Sequence, residues 1–347
     1  MVNILKNRFD NTADSKMFFY NKMQSLRAIA CIFICFNHTK FFNENTFGSI
    51  GVEIFLILSG YLTVYNAEKS GKLRKGYLWD KVKKILFLYW GITILLFIVG
   101  CIVPQIANSL EFTIESLFYS MLLIPGHTFL LFPGWTLTFM FMFYAIFWIS
   151  DKISVKNRSL ISIIFIGLIV FIGILNDLYW GIELVKNYSN PMMLEFAYGI
   201  ILYYVMKYIK EYVSSVENII NSMMIIMLLI TFFFEYNDCF GPRYLLPAST
   251  VCVVIGLCTF AYIPKKLLSI IARLGDYSYT VYIIHPLILR PLDKIWLHIC
   301  GGYSFVYFML IFLSIALTIC SAILFQKMQS LCILYIDNKK VVDKMSS

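Results

Sequence analysis

Charged residues are scarce in this chain, in which Asp, Glu, Lys and Arg make up only 14% of 347 residues. Soluble globular domains carry about 25% charged residues, so the deficit excludes an ordinary soluble domain. Hydrophobic residues make up 60% of the sequence, and the mean hydropathy is +0.76. The composition predicts an all-α integral membrane protein, because a helix satisfies its own backbone hydrogen bonds in lipid.

Several chemical motifs are also missing. The sequence has no CxxC pair and its four His residues fall in separate segments, so no metal-ligand spacing is visible and we expect no metal site. A P-loop and a GxGxxG loop are absent, as is the GxSxG elbow of serine hydrolases. These absences argue against a metalloenzyme, against the common nucleotide-binding folds and against a bound cofactor.

The net charge of +9 comes from Lys and Arg that lie in short segments between apolar runs. Cytoplasmic loops of membrane proteins show this pattern, so we expect no nucleic-acid partner. Placing the basic segments in the cytoplasm predicts a bundle of about ten transmembrane helices with both termini cytoplasmic. The predicted spans are residues 26–42, 50–65, 85–103, 134–150, 160–178, 192–205, 219–236, 244–262, 277–297 and 305–325.

This topology divides the chain into three parts. Residues 1–22 are predicted to form a cytoplasmic segment without a cleavable signal peptide, because the first twenty residues are polar. Residues 23–326 form a multi-span membrane domain, and residues 327–347 form a basic cytoplasmic tail. The run 116–132 contains Pro and Gly and is followed by another Pro, so we expect an interfacial or re-entrant segment there.

The first two spans contain three ionisable residues that lipid tolerates poorly, Arg27, His38 and Glu53. Arg27 and His38 are separated by about three helical turns, roughly 16 Å of rise, and share one face. Arg27 can hold a phosphate or carboxylate with two hydrogen bonds, and His38 can act as a base near neutral pH. The alternatives are an Arg that reaches lipid headgroups, a His that bonds a neighbouring helix and an interfacial Glu.

Three segments resemble the signature of the family-3 membrane acyltransferases. LRAIACIFICFNHT followed by GVEIFLILSGYL resembles the family's first two helices, in which an Arg precedes a His at this spacing. GWTLTFMFMFYAIF resembles its Trp-Ser-Leu helix, and LGDYSYTVYIIHPLIL resembles its late helix with a His-Pro pair. The segments occur in the family's order and together span most of the chain.

The resemblance implies an acyltransferase in the bacterial inner membrane. It implies transfer of an acyl group, usually acetyl, from cytoplasmic acetyl-CoA or another acyl-CoA to a hydroxyl of a cell-surface glycan or lipid-linked sugar. His38 and Arg27 match the family's essential His and Arg. Glu53 stands where the family has Asp, near the predicted outer end of the second span, where it is expected to orient His38 or bind the acceptor. The Glu that follows Trp-Ser-Leu in many members is absent, because Thr138, Phe139 and Met140 occupy that region.

Further candidate residues follow from the same segments and from the charge pattern. We expect Trp135 and Tyr144 to line a cavity, Tyr282 and His285 to line the acceptor path, and Arg243 to bind an anionic glycan. A hydrogen-bonded His in a kinked helix and an interfacial Arg are the alternatives for the last two. Donor binding is assigned to Arg27 and to the basic loop through Lys72, Arg74 and Lys75.

Three other interpretations concern packing and class. Ser59 and Gly60 are expected to allow close helix packing and not catalysis. A disulfide between Cys239 and Cys300 is possible, because both fall in or near predicted outer loops. The competing class is a non-enzymatic transporter or exporter of a glycan or small solute, whose matched broken helices are not visible in this sequence.

Overall fold

The computed structural model describes residues 13–43, 50–103, 110–209, 217–236, 246–261 and 263–345, and these residues form helices and loops without a strand. The helices are α1 (Ala13–Asn37), α2 (Lys40–Asn43), α3 (Ile50–Ser70), α4 (Tyr77–Ile102), α5 (Ile114–Met121), α6 (Gly134–Ile153), α7 (Arg158–Trp180), α8 (Glu183–Tyr188), α9 (Met193–Ile209), α10 (Glu217–Tyr236), α11 (Leu246–Phe260), α12 (Lys265–Asp276), α13 (Ser278–Cys300) and α14 (Phe305–Met345). The predicted all-α class is confirmed.

Six helical segments are long and apolar enough to cross a membrane, by length and composition. They are Ile50–Ser70, Tyr77–Ile102, Gly134–Ile153, Arg158–Trp180, Glu183–Ile209 and Phe305–Lys327. Each of the ten predicted spans overlaps a helix. Four of them, 26–42, 219–236, 244–262 and 277–297, lie outside these six segments, because their described helices are too short or not apolar enough to qualify. The count of ten crossings and the cytoplasmic termini therefore stay predictions.

The segment that was expected to be re-entrant does not form a spanning helix. The eight-residue helix α5 is followed by a loop that leads to α6. Within this loop Leu123 has φ 55° and Gly126 has φ 95°, values at which a right-handed helix cannot continue. The structure thus agrees with the interruption expected from Pro125 and Gly126.

Helix α1 begins at Ala13, well before the predicted start of the membrane domain at residue 23. Side chains of its first turns make polar contacts with other helices. The Lys22 Nζ atom donates to the backbone oxygens of Thr259 and Ala261, both at 2.8 Å, where it covers carbonyl groups at the end of α11. The Tyr20 hydroxyl donates to Asp276 at 2.7 Å.

Helix α3 lies at the centre of the bundle, between α1 and α9. A Cβ atom on Gly60 would lie 2.2 Å from the Phe196 oxygen, and one on Gly199 would lie 2.0 Å from the Ile57 oxygen. The helices can approach this closely only because both positions are glycine. The Ser59 hydroxyl donates to the Phe55 oxygen of its own helix at 2.7 Å. The close packing expected at Gly60 is confirmed, and the packing role of Ser59 stays a prediction.

The bundle has two chemically distinct ends, which we name after two residues of α1. Helix α1 runs from the Arg27 end to the His38 end, and α13 runs in the same direction. Helices α3 and α6 run the opposite way, and the loop 71–76 that joins α3 to α4 lies at the Arg27 end. The candidate functional residues separate between these two ends.

Candidate active site

His38 and His285 lie against each other at the His38 end. Helix α1 stops at Asn37, so His38 occupies the turn directly after it, where its backbone N–H donates to the Cys35 oxygen at 3.2 Å. The centroids of the two imidazole rings are 4.5 Å apart and the rings are tilted by 59°. The sequence motifs indicated separate roles for these two residues, and the fold joins them into one pair.

The hydrogen bonds of His285 determine which of its ring nitrogens is basic. Its Nδ1 atom lies 2.6 Å from the Tyr282 backbone oxygen. A carbonyl oxygen only accepts, so Nδ1 carries the hydrogen and the neutral ring keeps its lone pair on Nε2. His285 is buried, and Nε2 has no hydrogen-bond partner among the described residues. The ring therefore presents a free acceptor beside His38.

Tyr282 and Thr136 connect α13 to α6 beside this pair. The Thr136 hydroxyl donates its hydrogen to the Pro133 oxygen at 2.9 Å. Its lone pairs then accept a hydrogen bond from the Tyr282 hydroxyl, with which it is in direct contact. Trp135 is the neighbouring residue and lies partly exposed. The sequence motifs indicate Trp135 and Tyr282 but not Thr136, although Thr136 occupies the Ser position of the Trp-Ser-Leu motif.

Phe132 and Arg290 form one wall of the site. The Phe132 ring meets the His38 ring edge-on, with centroids 5.2 Å apart, and the Arg290 guanidinium lies 4.6 Å from the centroid of the same Phe132 ring. Arg290 is near enough for its positive charge to act on both His38 and His285. Neither residue stands out in the sequence, because an aromatic and a cation near a helix end match many interfacial positions.

A buried carboxylate fixes the turn that carries His38. One oxygen of Asp293 accepts from the Tyr307 hydroxyl at 2.7 Å, and the other accepts from the Lys40 backbone N–H at 3.0 Å. Asp293 belongs to α13, the helix that carries His285, and Lys40 follows His38 by two residues. One carboxylate thus ties together the two segments that hold the imidazole pair.

The Arg27 end is cationic. Arg27 and Lys81 lie near enough to Lys84 for their charges to act on it. Lys84 belongs to the π-helical turn Val82–Leu86, a distortion that often accompanies functional positions. The Lys81 ammonium lies 4.2 Å from the centroid of the Tyr144 ring. Tyr144 therefore lines the Arg27 end and not the surroundings of His38.

The basic loop between α3 and α4 is held on the surface of the Arg27 end. Its residues Lys72, Arg74 and Lys75 are exposed, and Arg74 pairs with Asp80 of α4. A buried ion pair anchors the loop from below. Arg158 donates to an oxygen of Asp151 at 2.8 Å and also to the Gly71 oxygen, while the other Asp151 oxygen accepts from the Leu73 N–H at 3.3 Å.

Glu53 lies in the first turn of α3 and is fully buried. Two residues earlier, Gly51 packs against the Ala30 oxygen and the Ile34 side chain of α1. Since α1 and α3 are antiparallel, Glu53 is level with the middle of α1, deeper than His38. Its role in orienting His38 or binding the acceptor stays a prediction. Arg243 and Cys239 lie outside the described residues.

Comparisons with known proteins agree with the motifs. A family model for an acyltransferase domain matches residues 20–327. The exopolysaccharide production protein ExoZ of Rhizobium meliloti (strain 1021) is 26% identical over 165 residues, which cover 45% of this chain and 50% of ExoZ. The match thus spans about half the length of that relative. No solved structure matches the chain. Because the family match covers most of the chain and includes both imidazoles of the pair, this protein belongs to the family-3 membrane acyltransferases.

Proposed function

We propose that this protein transfers an acyl group, most simply acetyl, from cytoplasmic acyl-CoA to a hydroxyl of a cell-surface or lipid-linked glycan. The membership in an acyltransferase family supports the reaction type, and the name of ExoZ, which refers to exopolysaccharide production, supports a glycan acceptor. The observation that carries the proposal is the contact between the half-buried His38 and the buried His285. The protein would work as a multi-pass enzyme of the bacterial inner membrane, with the His38 end facing outward.

The pair suits the activation of a hydroxyl. A sugar hydroxyl attacks a thioester slowly until a base removes its proton, and a positioned base contributes about 10²- to 10⁴-fold in rate. In this proposal a ring nitrogen of His38 takes the hydroxyl proton while the oxygen forms a bond to the thioester carbon. The C–S bond then breaks, and the departing thiolate receives the proton from His38. The products are an ester and free coenzyme A.

His285 is assigned the positioning of His38. A catalytic base works best when a second group holds its other nitrogen and fixes its tautomer. The free Nε2 lone pair of His285 can accept a hydrogen from the adjacent His38 ring. The bond from His285 Nδ1 to the Tyr282 oxygen keeps that lone pair available.

Donor binding is assigned to the Arg27 end. Coenzyme A carries phosphates, which the neighbouring cations Arg27, Lys81 and Lys84 can bind. Helix α1 separates Arg27 from His38 by roughly 16 Å, a distance comparable to the extended pantetheine arm of the coenzyme. Phosphates held at the Arg27 end would therefore let the thioester reach His38. The exposed Lys72 and Lys75 would raise the local concentration of the donor.

Labelled acetyl-CoA added to inside-out membrane vesicles tests the proposal. We expect label to appear on glycan with the wild-type protein and to be lost with His38→Ala. His298→Ala is the matched control, because His298 is exposed on α13 and contributes nothing to the pair. Unchanged labelling by a normally expressed His38→Ala variant would refute the proposal. Movement of an unmodified glycan without labelling would indicate a transporter.

A further inference from the structure

The His38 end carries exposed cations that the imidazole chemistry does not use. Lys40 follows His38, and Arg290 and Lys294 lie on α13 beyond His285. Under the proposed topology this end faces outward, where Lys and Arg are uncommon in membrane proteins. Three exposed cations around one site on the outer side therefore indicate a ligand of negative charge.

Arg290 is the cation nearest the reacting groups. Its guanidinium lies on the Phe132 ring, whose other contact is the edge of the His38 ring. Its charge acts on both imidazoles of the pair. The side chain is exposed on its remaining side, so a ligand that approaches His38 from this end would pass within reach of it.

Arg290 has no ion-pair partner among the described residues. The carboxylate closest in sequence, Asp293, uses one oxygen for the Tyr307 hydroxyl and the other for the Lys40 N–H. Asp293 is also buried, at 7% exposure, whereas the guanidinium of Arg290 rests on an aromatic face. That packing fixes the orientation of the guanidinium and leaves its N–H donors available for an added ligand.

We propose that the glycan acceptor carries a carboxylate or phosphate close to the hydroxyl that is acylated, and that Arg290 binds this anion. This inference rests on the proposed function and specifies its acceptor. An ion pair at Arg290 would hold the sugar so that its hydroxyl faces His38, and a guanidinium can hold either anion with two parallel hydrogen bonds. Lys40 and Lys294 would attract the same ligand from a longer range.

The test uses the full-length protein in proteoliposomes with labelled acetyl-CoA inside. The acceptor is surface polysaccharide from cells that lack the protein, offered native, after chemical reduction of its carboxylates to alcohols, or after removal of its phosphates. We expect one of the two treatments to raise the wild-type KM for polysaccharide by about tenfold or more, since hydrogen bonds to charged groups are among the stronger ones.

The variants assign this effect to Arg290. We expect Arg290→Gln to raise the KM for native polysaccharide by about tenfold or more and to abolish the difference between native and treated acceptor. Arg290→Lys should keep part of that difference. Lys186→Gln is the control, because Lys186 is an exposed cation of α8 at the same end, without a contact to the imidazole pair, and it should behave like the wild type.

Three results would overturn the inference. One is a wild-type enzyme that uses native and treated polysaccharide equally well. Another is an Arg290→Gln variant that loses kcat equally on all acceptors. A third is an Arg290 effect that appears only in vesicles with anionic lipid, which would assign Arg290 to lipid headgroups. Absence of any His38-dependent transfer by the wild-type protein is a different result, because it would refute the proposed function itself.

Discussion

The His38 end and the Arg27 end of the bundle use their ionisable groups in opposite ways. At the His38 end, two imidazoles pack together and hydrogen bonds fix the turn and the helix that carry them. At the Arg27 end, the charges of Arg27 and Lys81 act on Lys84, and none of the three cations forms an ion pair with the described carboxylates. The first arrangement suits proton transfer, which needs fixed geometry, and the second suits an incoming anion, which needs uncompensated charge.

Removing His285 gives the largest expected loss of rate. His285→Ala should lower kcat by about 100-fold or more, because His38 loses the group that orients it. The KM for acetyl-CoA should not change, since we propose that the donor phosphates bind at the other end. Steady-state kinetics in proteoliposomes measure both constants.

His127→Ala is the control, because His127 stacks on Tyr119 with ring centroids 3.6 Å apart and lies outside the pair. A rise in donor KM with unchanged kcat would reverse our assignment of the two ends.

The buried ion pair below the basic loop gives the largest expected change in stability. Arg158→Met leaves Asp151 buried without its charge partner and should cost about 3–5 kcal/mol. Thermal unfolding of the detergent-solubilised protein measures the loss. The double variant Asp151→Leu/Arg158→Met removes both charges and should recover part of the stability, because the Gly71 oxygen and the Leu73 N–H still lose their partners. Equal melting temperatures for wild type and Arg158→Met would show that the pair does not anchor the loop.

Neutralising a cation at the Arg27 end should act on donor affinity alone. We expect Arg27→Gln and Lys84→Gln each to raise the KM for acetyl-CoA by about tenfold, with kcat changed little, since each variant removes a charge-assisted hydrogen bond to phosphate. Added salt should weaken donor binding by the wild-type protein more than by the variants.

Lys152→Gln, at an exposed position of α6, is the control. A fall in kcat without a KM effect would contradict donor binding at this end.

The Asp293 tether should have the smallest effect on rate. Asp293→Ala frees the Lys40 N–H and the Tyr307 hydroxyl, and we expect kcat to fall by about tenfold because the imidazoles lose their fixed separation. Asp293→Asn keeps one acceptor oxygen and should recover part of the rate. Tyr307→Phe, which removes only one of the two bonds, should cost less still. A lower yield of folded protein with unchanged specific activity would indicate a purely structural role.

The sequence predicted the helices and the spacing of residues along α1 better than it predicted which residues meet at the site. Low charge and long apolar runs determine that the chain is helical in lipid, and the spacing of Arg27 and His38 follows from helix geometry. The close approach at Gly60 was also expected from the small residues of α3. These features depend on neighbouring residues of one helix, which a local pattern can describe.

The pairing of His38 with His285 depends on how α1 packs against α13, and no local pattern encodes that contact. The same holds for the position of Arg290 on Phe132 and for the approach of Lys84 to Arg27. Tyr144 was expected in a cavity with Trp135, yet the length of α6 places it near Lys81 at the other end. In an apolar helix every face is hydrophobic, so periodicity does not identify the face that meets the site.

The most direct test of the account measures donor binding and acyl transfer on the same preparation of His38→Ala. Labelled acetyl-CoA binding is followed at equilibrium, and transfer to glycan is followed after acceptor is added. We predict wild-type donor affinity together with a loss of transfer of about 100-fold or more. Wild-type transfer by the folded variant would contradict the central claim that chemistry occurs at the His38 end and donor binding at the Arg27 end.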